Sequence, residues 1–367
     1  MPPTEQQTKN KFFSTLRSDL KNSYAYGSLR KDTKEISDFY LTDEQREQLK
    51  GMKAGKRSFY RFGWIMRAMF YKLTPMRRLM FVIGILLLIH IQGSFGEDIS
   101  LNINGNSIFG GALLVLVILL ELKDKLLAHD ELEAGRKIQE SLMPERMPNV
   151  NGWKMWLFTR SANEVCGDLI DFLKLDENRF SIAIADVAGK GLHAALITAK
   201  LQATIRALAG EIISLPELIG RINSIVHRDS PSHIFSSLLY AECSQLNGTI
   251  QFVNAGHFPA LVVRNAEIEE CVRGEAALGL TGTMNFMEHS VTLNTNDRFV
   301  LYSDGLIEAK NELGDFFGKE HLLNLLKSTS NESPEQTGLT LLRAVDRFIG
   351  TTTASDDLSI IILQRTE

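Results

Sequence analysis

The sequence predicts an α+β layered sandwich over residues 146–367, preceded by a helical N-terminal part. Three observations carry this. Beyond Asn149, short apolar runs with strand patterning alternate with paired helical runs. Upstream, two uncharged apolar stretches stand close together, each near the roughly 20 residues that a membrane-spanning helix needs. Between the two parts lies a run rich in Glu, Lys, Leu and Ala, the composition of a helix.

The 367 residues carry a net charge of -4, unevenly spread. Residues 1–78 hold 17 Lys and Arg against 8 Asp and Glu, a net +9 that leaves -13 for the remainder. A basic stretch before an acidic body points to an anionic partner, nucleic acid or anionic lipid. The apolar sequence that follows favours membrane lipid, and no nucleic-acid partner is expected. Arg57, Arg61, Arg67 and Lys72 alternate with Phe59, Tyr60, Phe62, Trp64, Ile65, Met69 and Phe70. That mixture suits either an amphipathic helix on the inner leaflet or a solvated helical arm. Cys166, Cys243 and Cys271 are odd in number and irregular in spacing. They make neither a disulfide framework nor a zinc site, and reduced cytosolic thiols are expected. No cleavable secretory signal is recognisable, because the first long apolar run starts near Leu79.

The apolar stretches are 79–96 and 101–120. Arg67, Lys72, Arg77 and Arg78 precede the first, and Lys123 and Lys125 follow the second. Only Glu97 and Asp98 are charged in the connection. An excess of positive charge at both outer ends predicts a two-helix transmembrane hairpin with both ends in the cytoplasm. The chain is therefore expected in the inner (plasma) membrane with its C-terminal domain cytoplasmic. A buried hairpin in a soluble domain is the alternative, for which His90, Gln92 and several glycines leave room. Residues 121–145 read as a linker helix ended by Pro144. Leu127, Ala134, Ile138 and Leu142 fall near one face, a candidate surface for a homodimer if the helix is more than a spacer.

In the C-terminal domain WKMWLFTRS and RFSIAIAD read as strands, followed by helices over 193–210 and 216–227. SSLLYAEC, TIQFVNAG and FPALVVR read as antiparallel strands, and HSVTLNTNDRFVLYSD adds two more around a turn at Asn294–Asp297. KEHLLNLLKS and PEQTGLTLLRAVDRFIG are helical, and LSIIILQ closes the chain as a strand.

The informative residues are the aspartates at the ends of these strands. Asp186 ends RFSIAIAD, Asp304 ends RFVLYSD, Asp356 and Asp357 precede LSIIIL, and Asp168 and Asp171 lie in CGDLID. Any one of them alone is an ordinary turn residue. If the strands are neighbours, their ends converge, and converging carboxylates raise each other's pKa until something compensates. Oxygen-only donors point to Mg²⁺ or Mn²⁺ rather than zinc. Two such ions can activate a water for attack on phosphorus without a protein nucleophile.

DVAGKGLHAAL (186–196), NAGHFPALVV (254–263), LYSDGLIEAKN (301–311) and SDDLSIIIL (355–363) resemble, in order, the motifs of the PPM family of metal-dependent protein phosphatases. They are most similar to its bacterial SpoIIE-like branch, which regulates sigma factors and other stress responses. AGRKIQESLMP (134–144) resembles the segment leading into that domain, and EVCGDLIDF (164–172) its first acidic motif. The resemblance implies an αββα sandwich that removes phosphate from serine or threonine of a phosphorylated protein substrate, such as an anti-sigma-factor antagonist. It implies two Mn²⁺ or Mg²⁺ ions bridged by Asp186, with the Val187 carbonyl on one of them and Asp304 and Asp356 completing the shell of the first. Asp168 would serve the second ion through water. Asp171 and Asp357 would lie further out, with Asp357 alternatively bonding the turn backbone. Cys166 departs from the Gly-Gly-Asp usual in the first motif. It is expected to be a packing thiol, with oxidation sensitivity as the alternative.

Gly189 and Gly191 suit a tight turn near the ions. Lys190 could attract phosphate but reads more simply as an exposed loop residue. His257 could pass a proton to a leaving oxygen, although a turn role is favoured, as for Asn254. Nucleotide-binding glycine fingerprints and Walker loops are absent from the sequence. Two rivals to the phosphatase remain: a membrane-anchored pseudophosphatase scaffold that binds a phosphoprotein, against which the intact acids speak, and a two-metal nucleotide cyclase whose base-reading residues are not found.

Overall fold

The computed structural model describes residues 40–89, 105–231 and 234–367. The chain divides into two compact units, 1–126 and 127–367.

In the first unit, helix α1 (Asp43–Lys50) starts at a capping box. The Gln45 N–H donates to Thr42 Oγ1 and the Gln45 side chain accepts from the Thr42 N–H, satisfying two amides that the helix leaves free. Helix α2 (Ala54–Lys72) exposes Phe59 and Phe62. Helix α3 (Pro75–Ile89) runs antiparallel to the start of α4 (Gly105–Leu142). The two approach closely at Gly84, where a Cβ would lie 2.9 Å from Leu114 Cγ. At the other end Arg77 pairs with Glu121 and Asp124, at 2.7 and 2.6 Å.

Among the described residues no helix is long and apolar enough to cross a membrane. The spans expected at 79–96 and 101–120 lie partly outside those residues, at 90–104. The helices that carry the described parts extend beyond the apolar stretches. The first apolar helix begins at Pro75, and the second apolar stretch continues without a break into the linker. Hydropathy changes near Glu121, but nothing there breaks the backbone ladder, so 105–142 is one helix.

The second unit is a four-layer αββα sandwich. One sheet has the order β1-β10-β9-β6-β7 and the other β2-β3-β4-β5-β8. The first comprises β1 (Trp153–Arg160), β10 (Leu358–Arg365), β9 (Arg298–Tyr302), β6 (Leu261–Arg264) and β7 (Glu267–Glu270). The second comprises β2 (Asp168–Lys174), β3 (Arg179–Val187), β4 (Ser236–Ser244), β5 (Thr249–Ala255) and β8 (His289–Thr292). All neighbouring strands are antiparallel. Between the sheets, Leu157, Phe180, Ile184, Leu239, Phe252, Leu301 and Ile361 form an apolar core. Outside the second sheet pack α5 (Leu192–Leu208) and α6 (Leu215–Asp229) through Leu201, Ile205, Leu218 and Ile222. Outside the first pack α8 (Gly318–Ser328) and α9 (Pro334–Ile349) through Leu322, Leu326, Leu341 and Val345. At Gly338 a Cβ would meet the Trp156 ring at 2.2 Å, so only glycine lets α9 lie on β1.

The strand and helix order read from the sequence holds with three revisions. Asp168 follows the strand WKMWLFTRS (β1) and also opens a further strand, β2. β7 is a polar edge strand with no apolar alternation to betray it. Asp304 stands just past β9, as the first residue of the one-turn helix α7 (Asp304–Ile307).

Candidate active site

Register places the acids. Asp168 and Asp186 sit directly opposite each other on β2 and β3. Leu358 pairs with the last residue of β1 and Ile360 with the last residue of β9, so Asp356 and Asp304 share an edge of the other sheet. The two edges meet at the Ser359 hydroxyl. Ser359 Oγ donates to Asp168 Oδ2 at 2.6 Å, and the Ser359 N–H donates to Ser303 Oγ at 2.9 Å. Gly305 lets α7 start against β10, since a Cβ there would fall 2.0 Å from the Asp357 carbonyl.

The crowding is visible in the ionisation. Burial, then the charges of Asp304, Asp356 and Asp357, push Asp186 up to about 6, while Lys190 opposes them. Burial and then Asp356 and Glu308 raise Asp304. Asp168, 4% exposed, is held well above the carboxylate range chiefly by burial, against the Ser359 hydrogen bond. Lys190 is more than the idle loop residue expected. Its Nζ lies 3.3 Å from Asp356 Oδ2 and 3.0 Å from the Ser355 carbonyl. Gly189 and Gly191, with φ of 125° and 70°, make the tight turn that brings it there.

Two neighbouring acids do other work. Asp357 accepts from the N–H groups of Ala162 (2.7 Å) and Gly167 (2.5 Å), the turn-bracing role considered for it. Asp171 is held by Arg206 at 2.9 and 2.7 Å and by Gln202 at 3.1 Å, away from the other acids. The Val187 backbone continues β3 beyond Asp186, with its side chain packed on Ala194 and Ile234.

The donor set fits a hard divalent cation: oxygen only, convergent, and electrostatically frustrated without one. Among the described residues, however, no three His, Cys, Asp or Glu side chains stand close enough to hold one ion as they lie. Asp168 is turned to Ser359, and Asp356 engages Lys190 and the Asp357 N–H. The acids Asp168, Asp186, Asp304 and Asp356 thus share one edge without closing a shell.

A pocket of about 670 Å³ opens from Asp186 and Asp304 past Ser237, His257 and Phe258 to Arg273 and Lys319. His257 is 7% exposed. Its N–H donates to Asn254 Oδ1 at 2.8 Å and its carbonyl accepts from Asn254 Nδ2 at 3.1 Å, the turn roles favoured for both. Its ring reaches further. Nδ1 lies 2.8 Å from Ser237 Oγ, which accepts from the Asp186 N–H at 3.3 Å, and Nε2 has no partner among the described residues. Burial lowers this imidazole to about 4, so it is neutral at pH 7.

Cys166 is buried, and burial followed by the charges of Asp357 and Asp168 raises its thiol, in keeping with the packing role expected. Its backbone has a partner that sequence reasoning missed. Gln139 of α4 accepts from the Cys166 N–H at 2.9 Å and donates to the Cys166 carbonyl at 2.7 Å. The α5 side chains Gln202 and Arg206 both donate to the Leu142 carbonyl, at 2.9 and 3.2 Å. The linker is therefore bonded to the segment that leads into Asp168. Only its position ahead of Pro144 could have drawn attention to Gln139.

Residues 176–366 match the family described as Stage II sporulation protein E (SpoIIE). The chain is 25% identical over 306 residues to Protein IcfG of Synechocystis sp., covering 75% of this chain and 47% of that one. It is 28% identical over 189 residues to phosphoserine phosphatase RsbP of Bacillus subtilis, covering 50% and 47%. It is 24% identical over 241 residues to phosphoserine phosphatase RsbU of the same organism, covering 64% and 70%. The chain thus spans about half the length of the first two. Among solved structures, the SiaA-PP2C domain of Pseudomonas aeruginosa superposes with a TM-score of 0.58 at 17% identity, over 66% of this chain and 99% of that one. The PP2C phosphatase domain of SpoIIE from Bacillus subtilis superposes with a TM-score of 0.52 at 18% identity, over 59% and 65%. These likenesses establish a PP2C-type fold, and the match over residues 176–366 establishes the lineage: the chain belongs to the SpoIIE family.

Proposed function

We propose that the chain is a metal-dependent protein serine/threonine phosphatase that acts on a phosphorylated regulatory protein, such as an anti-sigma-factor antagonist. The observation that carries this is the convergence of Asp168, Asp186, Asp304 and Asp356 on one edge, with charges that repel one another, at the mouth of a pocket. The names of RsbP and RsbU support the reading. Asp168, Asp186, Asp304, Asp356 and the Val187 carbonyl would hold two Mn²⁺ or Mg²⁺ ions, which supply when bound an activated water and neutralisation of phosphoryl charge. Ser303 and Ser359 hold Asp168 in place, and the 189–191 turn fixes Lys190 beside Asp356. Neutral His257, braced by Asn254 and Ser237, lines the pocket wall with its free ring nitrogen buried.

The membrane is part of the proposal. Leu79, Leu86, Ile108, Phe109, Ile118 and Leu119 are exposed on α3 and α4, an apolar surface suited to lipid, with the sandwich on the cytoplasmic side. Leu127, Ala134 and Ile138 are exposed further along α4, a stripe that suits pairing with a second copy.

The test is turnover of p-nitrophenyl phosphate and a phosphoserine peptide by the full-length protein with Mn²⁺, with EDTA, and with Asp186→Asn. Activity that needs metal and is lost in the variant is expected. A protein that binds the peptide but turns nothing over under any metal is the scaffold instead. Extraction of the chain from membranes by alkaline carbonate would refute the hairpin.

A further inference from the structure

The end of the pocket away from the acids is built around a cation. Arg273 lines it, and among the described residues Arg273 has neither an ion pair nor a hydrogen bond. The other lining cation, Lys319, is already paired with Glu270. Arg273 does not sit on a loose loop. On one side the Cys271 N–H donates to the Ala260 carbonyl at 2.9 Å, and on the other the Glu275 N–H donates to the Asn254 carbonyl at 3.0 Å. Gly274 between them lies so close to Asn254 that a Cβ would fall 1.8 Å from its carbonyl oxygen. The segment is thereby pinned to the turn that carries His257.

Topology sets how far this cation stands from the acids. Asp186 pairs with Ser237, Leu238 bridges to Gly256, and Ala255 bridges to Glu275. Three strand spacings of about 4.8 Å separate Asp186 from the Arg273 segment by about 14 Å. An extended substrate covers that distance in about four residues, at about 3.4 Å each. The length of the arginine side chain shortens the gap to two or three.

We propose that Arg273 determines specificity by receiving a carboxylate side chain two or three residues from the phosphoserine, so that the substrate is an acidic phosphopeptide segment. This rests on the phosphatase reading above. A free guanidinium in a pocket whose other end is acidic offers a bidentate site for a carboxylate that Asp186 and Asp304 would otherwise repel.

The test uses the full-length protein carrying Asp186→Asn, with Mn²⁺, and fluorescein-labelled phosphoserine peptides that differ only in Glu or Gln at the third residue on both sides. Anisotropy should show the Glu peptide binding about tenfold more tightly than the Gln peptide, and Arg273→Ala should erase that preference. Arg273→Glu should reverse it toward a Lys-flanked peptide, a gain that misfolding cannot produce. No preference in the parent, or equal loss of both peptides in Arg273→Ala, overturns the proposal, the latter because Arg273 would then read the phosphoryl group. If the wild-type chain hydrolyses neither peptide yet keeps the Arg273-dependent preference, the phosphatase reading fails and the recognition site stands.

Discussion

Asp168 and Asp171 stand three residues apart on β2, both nearly sealed from solvent, at 4% and 2% exposure. Asp171 is met by two nitrogens of Arg206 and one of Gln202. Among the described residues Asp168 is met only by the hydroxyls of Ser359 and Ser303, with Asp186 and Asp357 as charged neighbours. The same side chain in the same motif is thus paired at one position and left electrostatically unpaid at the other. A carboxyl buried without a counter-charge is driven toward its neutral form, a cost that packing alone does not explain. The contrast therefore separates an acid braced by a counter-charge from one that has none.

The largest effect should come from breaking the unpaired side. Asp168→Asn or Asp304→Asn should lower turnover at least about a hundredfold while the melting temperature of the metal-free protein holds or rises, because a repulsion is removed. A fall in stability matching the fall in activity would sink the distinction. On the paired side, Asp171→Ala should cost about 2–3 kcal/mol by denaturant unfolding, less than a fully buried pair because Arg206 is partly exposed. Asp171→Leu with Arg206→Leu should recover most of that loss, and recovery is the outcome that marks Asp171 as a brace.

Acidity sharpens the same comparison. Asp186 has a folded pKa of about 6, above its unfolded value near 3.9. The folded state therefore binds the extra proton, so this contribution to stability is present below about pH 4 and lost as pH rises through 6. In EDTA, wild-type protein should melt lower at pH 7 than at pH 5, and Asp186→Asn should flatten that difference. Mn²⁺ should restore more stability at pH 7 than at pH 5. The smallest effect is expected at Cys166. Its raised thiol should resist iodoacetamide in the folded protein, and Cys166→Ala should keep turnover within about twofold; rapid alkylation with loss of activity would restore the oxidation-sensitive reading.

The acids at strand ends and the strand order around them were legible because β periodicity and motif order are written locally. What was not legible depends on partners distant in sequence. Nothing in CGDLID tells Asp168 from Asp171, because the difference lies in Ser359 and Arg206. Lys190 looked idle because Asp356 is 166 residues away. The continuity of α4 was hidden because a change from apolar to charged residues looks like a boundary while leaving helix propensity intact. Strand β7, EIEE, lies at a sheet edge, where polar residues suffice and no hydrophobic pattern is required.

The Gln139 contact bears on how such a module can be recombined. Gln139 pairs with both backbone groups of Cys166, and the Leu142 carbonyl is claimed twice from α5. A graft joined at Pro144 would strip two hydrogen bonds from the segment leading into Asp168 and two from α5. One joined upstream of Gln139 would keep them all. The natural seam for exchanging what precedes the sandwich therefore lies inside the helix, and the last turn of the linker travels with the sandwich as part of its inheritance.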